Sequence, residues 1–165
     1  MKALLCKEFT AVENLTWEDV PDPYPQDGEV IIEIKAAALN FPDYLIVQGL
    51  YQFKPPLPFS PGSEGAGTIS AIGKNVTEYK VGDRVSFISG WGAFCEKIAV
   101  HQKQVIKIPD TITFDLAAAT QLAYGTSYHA LIQRGNLTEN DEILILGASG
   151  GVGLAALDIA KAFNA

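Results

Sequence analysis

The sequence predicts a mixed α and β chain: a small β barrel or sandwich, then helices, then the opening strand, turn and helix of a parallel α/β sheet. Three observations carry this. Before Thr113, short β-patterned runs alternate with Gly and Pro, as in small antiparallel folds. At Pro109 the apolar period lengthens from strand to helix spacing. Near the end, the apolar run Ile143–Leu146 meets glycines and then an amphipathic pattern.

Taken in order, Ala3–Phe9 and Thr16–Val20 are short strand candidates. Pro21, Pro23 and Pro25 form a stiff linker, because proline lacks the N–H that a central ladder needs. Gly28–Asn40 is the best strand, with Val30, Ile32, Ile34 and Ala36 on one face and Glu33 and Lys35 on the other. Asp43–Gln48 reads as one short helix. Pro55, Pro56, Pro58 and Pro61 exclude regular structure and predict a rigid surface loop. Gly67–Ile72 resumes the β pattern, Gly73-Lys74-Asn75 is a turn, and Val81-Gly82-Asp83 leads into Arg84–Ile88. Phe94–Val100 and Gln104–Ile108 are expected to pair across His101-Gln102-Lys103. No internal repeat or low-complexity segment interrupts the series.

Beyond Pro109, Thr113 suits a helix N-cap with Asp115 in the first turn, so Leu116–Thr120 should start a helix. Tyr124–Arg134 is a second helical stretch, with Gly135 as its C′ residue. Ile143–Leu146 then reads as a buried parallel strand. After it, Val152, Ala155, Ala156, Ile159 and Phe163 recur at helical spacing, with Asp158 and Lys161 opposite. The turn between them, Ala148-Ser149-Gly150-Gly151-Val152-Gly153, is a G-x-G-x-x-G variant with Ala in first place. Gly150 lets backbone approach a pyrophosphate, Gly153 lets the helix sit close to its strand, and the helix N-terminus offers unpaired N–H groups. Strand before and helix after are the context that this motif demands. An ordinary strand-to-helix turn is the plainer reading, and dinucleotide binding is preferred to it. The sequence ends at Ala165, before a second strand and before the ribose-reading residue expected about 20 residues on. The chain therefore reads as the front half of a larger protein.

Composition narrows the class. The 165 residues have room for one core and the start of another, and 12 basic residues stand against 19 acidic ones. No cluster of Lys and Arg exists to neutralise phosphates, which argues against nucleic acid. The N-terminal apolar run is too short for a signal segment, and no run approaches a membrane span. Cys6 and Cys95 form no C-x-x-C, so neither a zinc knuckle nor a disulfide framework is indicated. A cytoplasmic, reducing setting is the expectation.

Five segments, in order, carry a resemblance: VPDPYPQDGEVIIEIKAAALNFPDY, PPLPFSPGSEGAG, KVGDRV, AYGTSYHAL and ILGASGGVGLAALDIAKA. Together they resemble the medium-chain dehydrogenase/reductase superfamily, and most closely its zinc-free, zeta-crystallin-like quinone oxidoreductase branch. The resemblance implies a chaperonin-10-like β-barrel substrate domain over residues 1–122, lacking its C-terminal return segment. It implies the truncated start of a Rossmann cofactor-binding domain over 123–165. In zinc-dependent relatives a Cys and a His stand where this sequence has Asn40 and Ser63, with Glu64 retained, and a four-Cys structural zinc loop is absent here. Neither an amide nor a hydroxyl replaces a thiolate and an imidazole as zinc ligands, so no metal is expected.

The same resemblance assigns roles to residues. Ala148, Ser149, Gly150, Gly151 and Val152 match the pyrophosphate turn. Thr126 matches a position beside the nicotinamide ring, against the plainer role of a helical hydroxyl bonded to its own backbone. Asn40 stands at the old ligand position, where an amide could hold a substrate carbonyl or the nicotinamide. A turn residue capping the strand end is an equal alternative for it. Tyr51, in Gln48-Gly49-Leu50-Tyr51, matches the proton-donating Tyr of enoyl-thioester reductases, against a plainer reading as pocket wall. Some relatives carry a cofactor-stacking Tyr where this sequence has Leu45. Asp43 is read as a helix cap, His101 and His129 as structural, and Cys95 as lacking an activating base.

The implied activity is an NADPH-dependent reductase of quinones or activated alkenes and carbonyls, with NADH not excluded and a homodimer for the full-length protein. The nearest alternative is an enoyl-thioester reductase with Tyr51 as acid. A third reading, of another class, is a folded fragment that only binds. The 165-residue chain by itself is not expected to be a competent catalyst.

Overall fold

The computed structural model describes residues 1–165. The chain forms two compact units, Met1–Ala119 and Thr120–Ala165.

In the first unit, β1 (Lys2–Leu5) pairs antiparallel with β2 (Thr16–Asp19). The main sheet holds β3 (Glu29–Ala38), β4 (Glu64–Ile72), β5 (Arg84–Ile88), β6 (Lys97–His101) and β7 (Val105–Lys107) in the order β6-β3-β4-β5-β7. Val30 and Ile32 of β3 face Ile72 and Ile69 of β4 on one side, and Val100 and Ile98 of β6 on the other. Val30, Ile32, Ile69, Ile98 and Val100 join Val85 and Phe87 in a buried core, whereas Ile72, at the end of β4, is exposed. The expected alternation along β3 holds through Ile34, which packs against that core. It then breaks, because a register shift lies between Ile34 and Ala36. An extra residue there turns Ala36 instead toward Ala66, Ala117 and Ala118, under α2 (Phe114–Ala118). Where β3 and β4 cross closest, a Cβ on Gly67 would stand 2.0 Å from the Glu33 carbonyl oxygen.

The expected pairing of the 94–100 and 104–108 segments does not occur. β6 pairs with β3, and β7 pairs with β5 through Phe87↔Val105 and Val85↔Lys107. A 3₁₀ turn, Gln102–Gln104, carries the chain from one sheet edge to the other instead of reversing it, and His101 Nδ1 accepts the Lys103 N–H within it. The four Cα steps from His101 to Val105 span at most about 14 Å at full extension. The two edges of the sheet must therefore lie close together, and the sheet rolls into a barrel.

Two helices follow the sequence closely. α1 (Phe41–Val47) starts at Asn40, and α2 starts at Thr113, whose hydroxyl accepts the Leu116 N–H. The proline-rich segment 55–61 is irregular, tied to the N-terminal strand by a single bridge between Cys6 and Phe59.

The second unit holds α3 (Gln121–Tyr128), continued as a π-helix over His129–Arg134, and α4 (Gly151–Ala162). Gly135 is not the left-handed residue expected. It has φ −83° and Asn136, at φ 50°, makes the turn. A larger departure is at 143–146, which takes part in no ladder. Leu144 and Leu146 are 87% and 86% exposed. An apolar run becomes a buried parallel strand only beside another strand, and this unit contains none. For the same reason α4 buries Ala155, Ala156, Ile159 and Ala160, while Val152 and Phe163 of the expected stripe stay exposed.

Candidate functional site

The start of α1 gathers four polar residues. Asn40 leaves β3 in extended conformation and is the helix N-cap. Pro42 fits the first turn, where a missing N–H is no loss. Asp43 reaches back so that its Oδ2 accepts the Asn40 N–H at 2.8 Å, while the Asp43 N–H donates to the Asn40 carbonyl at 3.0 Å. Its other oxygen accepts the Ser63 hydroxyl in a short hydrogen bond. Burial pushes the Asp43 carboxyl above its ordinary range, and the bonds from Ser63 and Asn40 only partly oppose this. Glu64, the first residue of β4, accepts the Asn40 side-chain N–H on Oε1 at 2.9 Å. Asp43 and Glu64 are 2% and 1% exposed, whereas Asn40 stays half-buried.

Sequence reasoning singled out Asn40 and Ser63 and read Asp43 as a cap. It missed that Asp43 also binds Ser63 and that Glu64 binds Asn40. The N-x-x-D spacing over Asn40–Asp43 signals only the cap, a capping box with Asp at N3, and nothing local marks the bond to Ser63, 20 residues away. Nothing local marks the second, because β4 brings Glu64 from 24 residues away.

Tyr51 lies elsewhere, after the α1 terminus, packed against Cys6, Ile46, Val47 and Phe59. Leu45 lies within α1, where the Leu50 N–H binds its carbonyl at 2.9 Å. The Cys95 thiol is pushed up to about 11 by burial and lies 2.9 Å from the Gly92 and Lys97 carbonyls. Such a thiol is a poor nucleophile. His129 pairs with Gln133 one turn along its helix at 2.6 Å. No group of three or more His, Cys, Asp and Glu is placed to hold a metal ion.

In the second unit the glycine turn is tightly folded against the start of α4. Gly147, at φ 74°, turns the chain, and the Gly150 N–H closes back on its carbonyl. A Cβ on Gly153 would stand 2.4 Å from the Gly147 carbonyl oxygen, so only glycine lets α4 approach the turn this closely. A Cβ on Gly151 would meet nothing within 4 Å. No side chain caps α4. The N–H groups of the first turn of α4 therefore have no side-chain acceptor at the positive end of the helix dipole, those of Gly151 and Val152 on exposed residues and that of Gly153 on a buried one. Ala148 is half-buried and Ser149 exposed beside them. Thr126 is exposed on α3, and its neighbour Ser127 is buried and donates to the Val152 carbonyl at 2.8 Å. Ser127, absent from the sequence-level candidates, pins the first turn of α4.

A barrel with a capped polar cluster at one strand end is thus joined in sequence to a glycine turn that opens a helix. Residues 26–110 match the alcohol dehydrogenase GroES-like domain, and the chain belongs to that family, within the medium-chain dehydrogenase/reductase superfamily. It is 41% identical over 163 residues to the synaptic vesicle membrane protein VAT-1 homolog of Rattus norvegicus, covering 98% of this chain and 40% of that protein. It is 40% identical over 168 residues to the quinone oxidoreductase of Homo sapiens, covering 99% of this chain and 50% of that protein. The crystal structure of Escherichia coli quinone oxidoreductase complexed with NADPH superposes with a TM-score of 0.93 at 32% identity, over 99% of this chain and 50% of that one. The chain thus spans about half the length of the relatives it matches. No helix is long and apolar enough to cross a membrane.

Proposed function

We propose that the chain carries the substrate-binding barrel (1–122) and the first cofactor-binding elements (123–165) of a zinc-independent, NADPH-dependent reductase of quinones or activated alkenes and carbonyls. The observation that carries this is the uncapped start of α4, with Gly153 against the Gly147 carbonyl. The N–H groups of Gly151, Val152 and Gly153 would take the pyrophosphate of the dinucleotide, with Ala148 and Ser149 lining the approach. When bound, NADPH supplies a hydride from its nicotinamide ring. The protein's part is to orient the partners and exclude water. Asn40 offers a fixed amide, and Thr126 a hydroxyl on an exposed helix face. Similarity to quinone oxidoreductases, one of them bound to NADPH, supports this reading.

Zinc independence rests on donor chemistry. Asn40 and Ser63 are spent on Glu64 and Asp43, and neither side chain is a strong zinc ligand. Elemental analysis of chelator-washed protein should find no stoichiometric zinc; finding it would overturn this part.

The second reading is an enoyl-thioester reductase with Tyr51 as proton donor, favoured by a partly exposed Tyr51 with no hydrogen-bond partner in the chain for its hydroxyl. Quinone-dependent against crotonyl-thioester-dependent NADPH oxidation, measured in a form of the protein carrying the complete cofactor domain, separates the two. Tyr51→Phe should lower kcat on the thioester by roughly 10²-fold, and should move KM more than kcat on a quinone. An unchanged kcat on the thioester removes Tyr51 from the chemistry.

A further inference from the structure

Beside α1 the barrel unit holds a cavity of about 430 Å³. Close-packed interiors keep few voids larger than a water molecule, and this space exceeds that many-fold. Segments far apart in sequence build its walls: Leu4 from β1, Leu15 after the 3₁₀ turn Val12–Asn14, and Phe94. Asp43 and Val47 of α1, both 2% exposed, form the floor, whereas Val12, Leu39 and Tyr44 reach the surface and mark the mouth. The mouth opens beside the polar cluster, because Leu39 immediately precedes Asn40 and Asp43 belongs to cavity and cluster alike.

The lining decides what fits. Apart from Asp43 and Tyr44 it is apolar, and both Asp43 carboxyl oxygens are engaged, one by the Asn40 N–H and the other by the Ser63 hydroxyl. No side chain inside is left to pair with a polar group, and an unpaired polar group is costly to bury. A water molecule takes about 30 Å³ of liquid volume and a methylene group is of similar size, so there is room for on the order of ten carbons. Resting on the reductase reading for the nature of the head group, we infer that this cavity binds the aliphatic chain of an amphiphilic substrate, an alkyl-substituted quinone or enone, with the carbonyl head left at the mouth. Every lining residue lies within Met1–Ala119, so the barrel unit makes the site by itself.

The test titrates the 165-residue chain, without cofactor, with 2-hexanone, 2-octanone and 2-decanone, read by methyl NMR. These ketones grade the chain length and do not alkylate thiols. Signals of Leu4 and Leu15 should shift and saturate, while those of the more exposed Leu144 and Leu146 stay unmoved. Each added methylene should tighten binding about 3–4-fold, roughly 10²-fold from 2-hexanone to 2-decanone, as burial of CH₂ groups requires. Leu15→Trp, which fills the cavity, should remove most of that gain. Val12→Glu, a charge at the exposed mouth, should weaken 2-decanone several-fold and decides the matter if the Trp variant does not fold. Equal affinity for the three ketones, unsaturable shifts that reach Leu144 and Leu146, or unweakened binding to the folded variants overturns the chain site. That result leaves the reductase reading to be decided by NADPH binding at the glycine turn. Decylubiquinone should displace 2-decanone, and duroquinone, a quinone without a chain, should not. Saturable ketone binding that decylubiquinone fails to displace overturns the substrate assignment.

Discussion

The barrel and the glycine turn were equally well patterned in sequence, yet they differ sharply as structures. β3 has a partner on each side, and Val30, Ile32, Ile69, Val85 and Phe87 are sealed. The run Ile143–Leu146 is just as apolar and has no ladder, with Leu144 and Leu146 almost fully exposed. The contrast teaches that an apolar run specifies the face it could bury and not the fact of burial. Burial needs a second element at hand, and hydrogen-bonding groups of a strand need one too.

The largest expected effects break the barrel side. Gly67→Val places side-chain atoms on the Glu33 carbonyl of the neighbouring strand and should leave the first unit unfolded, read as loss of dispersed amide signals. Dispersed β signals in that variant would mean β3 and β4 can move apart. Next, Ile69→Ala should cost about 2–5 kcal/mol by cavity formation, whereas Leu146→Ala should stay within about 0.5 kcal/mol. Urea unfolding followed by fluorescence suits the first measurement, because both tryptophans, Trp17 and Trp91, lie in the barrel unit. Equal losses would erase the comparison.

Hydrogen exchange sharpens it without mutation. Amides of Val30–Ile32 should exchange only by global opening of the barrel, and those of Ile143–Leu146 orders of magnitude faster. Slow exchange at 143–146 would reveal a partner for that segment in solution. The same exposure predicts weak cofactor binding by the 165-residue chain: with a turn and one helix N-terminus as its anion site, NADPH affinity should be poorer than micromolar. Micromolar affinity together with quinone turnover would show that these elements suffice.

The smallest effect concerns pH. Burial raises the Asp43 carboxyl in the folded state, so the folded protein holds that proton to higher pH than the unfolded chain. Its contribution to stability therefore falls as pH rises from about 3.9, the unfolded value, through the raised folded value. Asp43→Asn should flatten that part of the stability profile. A profile identical to that of the unaltered chain would mean the burial of Asp43 has no electrostatic consequence.

What the sequence determined by itself is whatever neighbouring residues decide. The β3 alternation, the Thr113 cap, the Asn40–Asp43 helix start and the glycine spacing around Gly150–Gly153 all depend on contacts within a few residues, and periodicity or cap chemistry reports those directly. The superfamily was legible as well, through motifs spread in order along the chain. Tertiary structure alone decided that β6 and β7 sit on opposite edges of a rolled sheet, that Ala36 leaves the barrel core after a register shift, and that Ile143–Leu146 stays unpaired. It also brought Glu64 to Asn40 and Ser127 to Val152. Each of these is a contact between segments far apart in sequence. A segment's own pattern states which groups need a partner, and only the folded chain settles which partner is within reach.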